Sequence, residues 1–275
     1  MTPGRRERGR PTRGSTVGPQ LLDGGTTNRG RVVRVGDTVR RPWRPTSPAT
    51  AALLHHLADV GFPGAPRFLG RDADGREVLS YVPGAAVTAP PRPSALTDAA
   101  LVSVAALLRD YHQAASSFDP RAYSWPPSPP EPFAGDLVSH NDVNLDNVVF
   151  RDGRAVALID FDLAGPGCRV WDVACAVRLW APLRPDRYVD DPRRGRGLDR
   201  LRLFVDSYGL ADADRERLVP AVRQNHEWCY DIVGSAAADG HTAFSEYWAG
   251  GAMARAHETH AWYLDNADLL RDALA

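Results

Sequence analysis

The first third of the chain alternates apolar and polar positions in short runs that are typical of β-strands. Leu21-Leu22, Arg31–Val35 and Thr38–Arg41 predict three successive strands, and a Gly-Asp turn separates the last two. Two further runs, Arg67–Leu69 and Glu77–Val82, flank an Asp-Gly turn and predict a second hairpin. We therefore expect a small, mostly antiparallel sheet in this region.

A single helix interrupts these strands. Ser47 followed by a proline favours a helix start, and Gly61 favours its end. Between them, apolar residues at helical spacing predict one buried stripe, formed by Leu53, Leu54, Leu57 and Val60. The region shows no alternation of strands and helices of the Rossmann type.

The rest of the chain has mainly helical periodicity. A proline-rich run ends at Pro93, and Thr97 then caps a long helix whose predicted buried face holds Leu101, Val104, Leu108 and Tyr111. An extended loop is expected at 119–132, and further helices are expected near 169–180, 197–208, 213–236, 241–260 and 266–274. We divide the chain into a disordered basic tail (1–18), a first lobe (19–83) and a second, larger lobe (84–275).

Composition narrows the class of protein. The 275 residues are 43% hydrophobic and 24% charged with a formal net charge of −1, which is typical of a globular protein. No apolar stretch approaches the ~20 residues of a membrane-spanning helix, and no secretory signal is recognisable, so we expect a cytoplasmic protein with no membrane partner. The basic tail could tether nucleic acid, but the mildly acidic remainder does not favour that function. We expect a monomer or a weak homodimer.

The chain contains no lysine, so all 33 basic residues are arginines. A Walker P-loop, a Schiff-base lysine and a lysine general base are thereby excluded. The three cysteines, Cys168, Cys175 and Cys229, lack paired metal spacing, and their odd number argues against a disulfide framework.

One loop carries a density of polar residues that a structural turn does not need. The eight residues His140–Asn147 include six polar ones, and they stand between a short strand and a hairpin. Phosphoryl transfer requires an aspartate that orients the acceptor hydroxyl, an asparagine five residues later that binds Mg²⁺, and a second aspartate that binds Mg²⁺ across the nucleotide phosphates. Asp142, Asn147 and Asp160 match this set, and Asp160 directly follows an apolar strand.

The stretch from Leu137 to Ala174 resembles the aminoglycoside phosphotransferase and choline kinase-like family of small-molecule kinases. The family's H-G-D-x-x-x-x-N loop and I-D-[FW] motif match His140, Asp142, Asn147 and Ile159-Asp160-Phe161, and Asp172 resembles the aspartate that braces the loop. The resemblance implies an α+β, bilobal protein-kinase-like fold with a small antiparallel-sheet lobe and a larger, mostly helical lobe. It also implies transfer of the γ-phosphate of ATP (or GTP), with Mg²⁺, to a hydroxyl of an aminoglycoside-like or amino-alcohol-like small molecule.

The same resemblance assigns roles to individual residues. Asp142 becomes the catalytic base, His140 a catalytic-loop brace, and Asn147 and Asp160 the metal ligands. In the first lobe, Gly24, Gly25, Thr26, Thr27 and Asn28 would cover the nucleotide phosphates, and the backbone at Leu79 and Tyr81 would hydrogen-bond adenine.

Two departures from the family pattern leave an alternative open. The family's phosphate-binding lysine on the third strand is absent, and strand alternation favours Arg41 for its role. The helix at 47–60 lacks the expected glutamate, because its only acid is Asp59, near the wrong end. The alternative is therefore a nucleotide-binding pseudokinase or regulatory module without turnover.

The acceptor is not identified by the sequence. Aromatic and acidic residues at 225–231 and 246–248 would suit a cationic alcohol through cation–π contacts and ion pairs. The alternative is simple helix packing, with Trp228 and Trp248 in the core, and we favour that interpretation.

Overall fold

A computed structural model describes residues 18–22, 30–87 and 91–275. The predicted basic tail, apart from Gly18, and the predicted phosphate-covering residues Gly24, Gly25, Thr26, Thr27 and Asn28 lie outside the described residues, so these predictions stay predictions.

The first part of the chain forms a five-stranded antiparallel sheet. Its strands pair in the order β1-β2-β3-β5-β4. Their bounds are Gln20–Leu21 (β1), Val33–Val35 (β2), Thr38–Arg41 (β3), Phe68–Arg71 (β4) and Glu77–Ser80 (β5). The predicted sheet is thus confirmed, with strand ends that differ from the expectation by up to two residues because hydrogen bonding stops where the turns begin.

Helix α1, Ser47–Asp59, connects β3 to β4. The predicted apolar stripe is buried at Leu53, Leu54 and Leu57, but the prediction for Val60 is wrong because its side chain is 48% exposed. The helix ends at Asp59, and Gly61 then turns the chain at a φ of +78°, so Val60 no longer continues the buried face.

The chain passes to its second part through Gly84, where the backbone leaves no room for a side chain. At φ +149°, a Cβ would lie 2.5 Å from Val149 Cγ1 and 2.7 Å from the carbonyl oxygen of Phe150. This close approach lets the next two residues, Ala85–Ala86 (β6), pair with Phe150 and Val149. The segment around Val149 and Phe150 is thereby joined directly to the chain that leaves the first sheet.

Two small sheets in the second part hold the polar loop. The strands are Leu137–Ser139 (β7), Val148–Arg151 (β8), Arg154–Leu158 (β9) and Gly165–Gly167 (β10), and they pair as β6-β8-β9 and β7-β10. The β8–β9 register places Val148 opposite Leu158. The residues just before β8 and just after β9 therefore meet at one end of the hairpin.

Seven further helices complete the described part of the chain. They are Asp98–Ala115 (α2), Arg169–Trp180 (α3), Gly197–Tyr208 (α4), Asp212–Ala238 (α5), Thr242–Tyr247 (α6), Met253–Asp265 (α7) and Ala267–Asp272 (α8). Thr97 caps α2 through a hydrogen bond from the Ala100 amide, and the whole predicted face of that helix is buried. Helix α2 packs on α4 and β9, and α3 packs on α5.

The prediction of one continuous helix at 241–260 is wrong. Helix α6 ends at Tyr247, and a wide turn over Trp248–Ala252 separates it from α7. Gly250 and Gly251 have non-helical dihedral angles there, and Gly251 takes a φ of +89° that other residues rarely adopt.

One apolar core runs through the second part of the chain. Its largest fully buried side chains include Trp171, Trp180, Tyr111, Phe204 and Phe161. Among the residues described, none of the helices combines the length and the apolar composition that crossing a bilayer requires.

Candidate active site

Asp172, in the first turn of α3, binds the backbone at the start of the polar loop His140–Asn147. Asp172 Oδ2 accepts a hydrogen bond from the His140 amide at 2.7 Å, and Oδ1 accepts one from the Asn141 amide at 2.8 Å. The indole Nε1 of Trp180 donates to the Val143 carbonyl at 3.0 Å. The loop therefore owes its shape to α3 as well as to its own sequence.

A buried hydrogen-bonded chain supports Asp172 in turn. His112 Nε2 donates to Asp172 Oδ2 at 2.9 Å, and the Tyr208 hydroxyl lies 2.7 Å from His112 Nδ1. Burial alone would raise the pKa of Asp172, but the hydrogen bonds from His112 and from the His140 amide hold that pKa below its usual value. A carboxylate with these donors stays ionised inside the protein.

His140 acts on the backbone and not on a reacting group in this geometry. Its Nε2 donates to the Ile159 carbonyl at 3.0 Å, and its ring lies 4.5 Å from that of Phe161. Burial lowers the pKa of His140, which favours the neutral ring. The residue thus links the start of the polar loop to the strand end that carries Asp160.

Asp142 and Asn147 lie in direct contact. The Asn147 Nδ2 donates to Asp142 Oδ2 at 2.8 Å and to the Asp142 carbonyl at 2.9 Å. Asn144 Nδ2 donates to Asp142 Oδ1. Because both protons of the Asn147 amide nitrogen are used, its Oδ1 is the atom left to contact a ligand.

Asp142 is a carboxylate with unusual proton affinity. Burial first, and then the neighbouring charges of Asp160 and Asp146, raise its pKa to about 8, against the hydrogen bond from Asn147 and the charge of Arg178. A buried carboxylate with this property, placed among other polar groups, is typical of proton-transfer sites.

Asp160 is presented by a strained turn at the end of β9. Its φ of +62° and ψ of +67° are left-handed, which a non-glycine residue adopts only when the surroundings hold it there. The buried Phe161 ring packs against Tyr111 and His140 and fixes this turn. Burial and the charge of Asp162 raise the pKa of Asp160 to about 6, although Arg41 opposes the shift.

Arg41 is the cation that contacts Asp160 directly. Its side chain is 7% exposed, and Nη1 lies 2.8 Å from Asp160 Oδ1 and 2.8 Å from Asp162 Oδ1. Its Nε lies 2.8 Å from Glu77 Oε1 on the neighbouring strand. Burial would lower the pKa of Arg41, but Asp162, Asp160 and Glu77 together raise it above its usual value, so the guanidinium stays charged. Its burial agrees with the strand alternation that favoured Arg41, and its role in binding phosphate stays a prediction.

Sequence reasoning missed three residues here. Glu77 and Asp162 are the acids that hold Arg41, and Arg178 on α3 places its charge close enough to lower the pKa of Asp142. An acid after a Gly-containing turn and an arginine near a helix end have ordinary structural explanations, so no sequence pattern pointed to Glu77 or Arg178. The second acid of the Asp160-Phe161-Asp162 motif could have been noticed.

The donor set at Asn147 and Asp160 fits Mg²⁺. An amide oxygen and a carboxylate are hard oxygen ligands, and Mg²⁺ is usually held by one or two carboxylates together with substrate phosphates and water. Within the described ranges, no group of three His, Cys, Asp or Glu side chains could hold a metal ion by itself. The residues therefore suit an ion that arrives with phosphate groups.

The backbone at the two residues predicted to bind adenine, Leu79 and Tyr81, is already engaged within the protein. Leu79 is buried between β3 and β4, opposite Val39 and Phe68. The Tyr81 amide donates to the Asp37 carbonyl at 2.8 Å, and the Arg34 guanidinium lies 3.6 Å from the Tyr81 ring centroid. Adenine binding by the Tyr81 amide would need that hydrogen bond to open, and both assignments stay predictions.

Arg178 contacts the long helix α5 and lies close enough to the polar loop to act on Asp142 through its charge. Its Nε lies 3.3 Å from Asn225 Oδ1 and its Nη2 lies 3.3 Å from Cys229 Sγ. Its charge also contributes, after burial, to lowering the pKa of His226 to about 4. The guanidinium is therefore near both Asp142 and the surface of α5 that faces α7.

A cavity of about 410 Å³ lies on that surface, between α5, the turn before α7 and α7 itself. The residues that give it chemical character are Glu227, Tyr230, Asp231, Trp248, His257 and His260. The expectation that Trp228 packs in the core agrees with its edge-on contact with Trp171 at 5.7 Å. The same expectation is wrong for Trp248, because the break at Gly250–Gly251 directs this indole to the cavity, beside Tyr230.

Comparison with known proteins supports one class. The sequence model of the phosphotransferase enzyme family (APH) matches residues 134–204, which include the whole polar loop and Asp172. The chain is 34% identical over 214 residues to the trifolitoxin immunity protein of Rhizobium leguminosarum bv. trifolii, which covers 71% of this chain and 75% of that protein.

Solved structures share the fold at low sequence identity. An aminoglycoside 2'-phosphotransferase in complex with GDP matches with a TM-score of 0.58 and 16% identity, over 94% of this chain and 92% of that one. The macrolide 2'-phosphotransferase of Brachybacterium faecium matches with a TM-score of 0.51 and 15% identity, over 84% and 90% of the two chains.

The fold is thus the bilobal protein-kinase-like α+β fold, and the class is that of small-molecule phosphotransferases that act on hydroxyl groups. The chain belongs to the phosphotransferase enzyme family.

Proposed function

We propose that this protein transfers the γ-phosphate of ATP or GTP, with Mg²⁺, to a hydroxyl of a small molecule that carries an amino group. The observation that carries the proposal is the convergence of Asp142, Asn147 and Asp160 at one end of the β8–β9 hairpin, with the Arg41 guanidinium against Asp160. Structural need alone does not explain why two partly buried aspartates and a buried amide gather at one hairpin end, with Arg41 against one of the aspartates.

Each residue has a separate task in the proposed reaction. Asn147 Oδ1 and Asp160 would hold the magnesium ion, which when bound neutralises charge on the nucleotide phosphates. Arg41 would contact phosphate oxygens with its guanidinium. Asp142 would orient the acceptor hydroxyl and take its proton, and the raised pKa of this carboxylate suits proton transfer near neutral pH.

The cavity beside α5 supports the class of acceptor. Trp248 and Tyr230 offer aromatic faces to a cation, and Glu227 and Asp231 offer carboxylates. Glu227 is already paired with Arg223 at 2.8 Å and with His260 at 3.1 Å, so Asp231 is the acid with more capacity to bind an ammonium group. An amino alcohol or aminoglycoside has the required chemistry.

The test combines nucleotide binding with phosphoryl transfer. Calorimetry should detect Mg-ATP or Mg-GTP binding to the wild type and its loss in Asp160→Ala. A panel of hydroxylated amines should then yield phosphorylated product with the wild type and none with Asp142→Asn, which keeps nucleotide binding. Asp152→Asn, at the exposed tip of the β8–β9 hairpin, is the matched control and should behave like the wild type.

Two outcomes would redirect the proposal. Nucleotide binding without turnover on any acceptor would support the pseudokinase alternative. Absence of nucleotide binding in the wild type would refute both functions.

A second candidate is protection against a toxin, because the relative of 34% identity is named an immunity protein. Expression of the wild type in a sensitive strain should then raise tolerance to trifolitoxin or a related toxin. If Asp142→Asn abolishes that tolerance, protection depends on the proposed phosphoryl transfer. If the variant protects equally, protection depends on binding alone.

A further inference from the structure

Helix α1 offers no acid to the cation of the site. The only acid of α1 is Asp59, its last residue, far along the chain from the first turns that approach the site. Those turns offer hydroxyl groups instead: Thr50 Oγ1 lies 3.5 Å from the Phe161 carbonyl, and Ser47 Oγ lies 3.5 Å from Glu77 Oε1. The small side chains leave the space beside Arg41 to a residue from another element.

That residue is Glu77, the first residue of β5. Its side chain is 1% exposed, and Oε1 lies 2.8 Å from Arg41 Nε. A carboxylate buried this deeply is retained at such a position only when a partner compensates the loss of hydration. Burial raises the pKa of Glu77 and the charge of Arg41 opposes that shift.

The sheet fixes this pair without any help from α1. Strands β3 and β5 are antiparallel neighbours, and Arg41 is the direct cross-strand partner of Glu77. Directly opposed residues on one face of a sheet have Cβ atoms only about 4.5–5.5 Å apart. The ion pair therefore forms whenever the two strands pair, and a shift of the helix does not break it.

The geometry also explains why an arginine suits this strand. Its Nε contacts Glu77 while Nη1, on the other side of the guanidinium, contacts Asp160 and Asp162. A lysine has a single nitrogen and no planar fork, so it cannot hold a neighbour on the adjacent strand and still present a second nitrogen to the site.

We propose that Glu77 is the positioning residue that fixes the Arg41 guanidinium for nucleotide phosphate, in place of an acid on α1. The inference rests on the proposed function, since it assigns to Arg41 the contact with phosphate. Glu77 acts only through Arg41 and does not itself contact the nucleotide.

A double-mutant cycle tests the proposal. Calorimetry on the full chain measures the affinities for Mg-ATP (or Mg-GTP, if it binds more tightly) and for the corresponding nucleoside. Glu77→Gln should weaken binding of the Mg-nucleotide about tenfold and leave nucleoside binding unchanged, because only the phosphates meet Arg41. In an Arg41→Met background, Glu77→Gln should cause no further loss.

Arg41→Lys provides a second test that does not alter the buried acid. We expect weaker Mg-nucleotide binding than in the wild type, although the cation is retained. The matched control is Asp72→Asn. It breaks the ion pair between Asp72 and Arg40, the neighbour of Arg41 on β3, and should leave nucleotide binding unchanged. Thermal unfolding of each variant identifies any that fail to fold.

The possible results separate the two proposals. If the wild type binds no Mg-nucleotide, the proposed function fails and takes this inference with it. If the wild type binds but Glu77→Gln binds equally well or more tightly, or weakens nucleoside binding to the same extent, only the role of Glu77 is refuted. Equal or tighter Mg-nucleotide binding by Arg41→Lys would also refute it.

Discussion

Replacing Asp172 by asparagine separates the charge of this buried group from its shape. The carboxylate accepts three hydrogen bonds, from the amides of His140 and Asn141 and from His112 Nε2. An asparagine has one acceptor oxygen, so whichever way the amide is turned at least one N–H meets an NH₂ group and loses its partner.

The expected loss follows from this count. A buried donor left unpaired costs about 1–3 kcal/mol, and each remaining hydrogen bond weakens by about 1 kcal/mol when its acceptor loses the charge. The neutral amide is cheaper to bury, which offsets part of this cost. We expect Asp172→Asn to lower the free energy of unfolding by about 3 kcal/mol, a large part of the roughly 5–15 kcal/mol typical of a domain.

Urea unfolding, followed by the fluorescence of the buried Trp171 and Trp180, measures the effect. The control is Asp110→Asn, the same substitution at an exposed position two residues from His112, which should change stability by less than about 0.5 kcal/mol. A loss below about 1 kcal/mol for Asp172→Asn would refute the reasoning, because the three donors would then have found other partners.

The lowered pKa of Asp172 also predicts how this stability difference changes with pH. The folded pKa of Asp172 lies below its unfolded value, so its contribution is complete above the unfolded pKa of about 3.9 and is lost as the pH falls toward the folded value. The stability difference between wild type and Asp172→Asn should therefore be constant between about pH 7 and 5 and should shrink only below about pH 4. A difference that shrinks already near neutral pH would mean that another group carries it.

Two further substitutions test the framework around the site. Thr97→Ala removes the hydroxyl that accepts from the Ala100 amide and should cost about 1 kcal/mol of stability in urea unfolding, whereas Ser116→Ala at the other end of α2 should cost less. Tyr111→Phe removes the hydroxyl that donates to the Val138 carbonyl at 2.9 Å; since Val138 faces Pro166, which has no N–H, we expect a loss of about 1–2 kcal/mol, and a neutral result would show that water or another donor replaces it.

Local sequence patterns predicted most helices and strands, because the interactions behind each pattern act between residues that are close in sequence. The β3 strand, α3 and α4 were predicted at their observed bounds, since apolar periodicity and flanking Gly, Pro and Asp act within a few residues. The two errors, at Val60 and at 241–260, fall where a helix ends or breaks. There the outcome depends on which backbone conformation a glycine takes, and the sequence permits several.

The candidate site was predictable where its residues are close in sequence. Asp142 and Asn147 are five residues apart, and Asp160 follows a strand that the pattern identifies. The direction of Arg41 also followed from strand alternation. By contrast, Glu77 is 36 residues from Arg41 along the chain, and nothing in either segment specifies that the two strands are neighbours.

The sequence by itself determined the elements, the polar loop and the class of chemistry, because these depend on residue type and short-range spacing. Only the tertiary structure decided which acid holds Arg41, that Arg178 stands near Asp142, and that Trp248 faces a cavity and not the core. The physical reason is that pairing of strands and packing of α3 on α5 bring distant residues within a few ångströms, where charge and burial act. These contacts depend on the geometry of the whole fold and cannot be recognised from any single segment of the sequence.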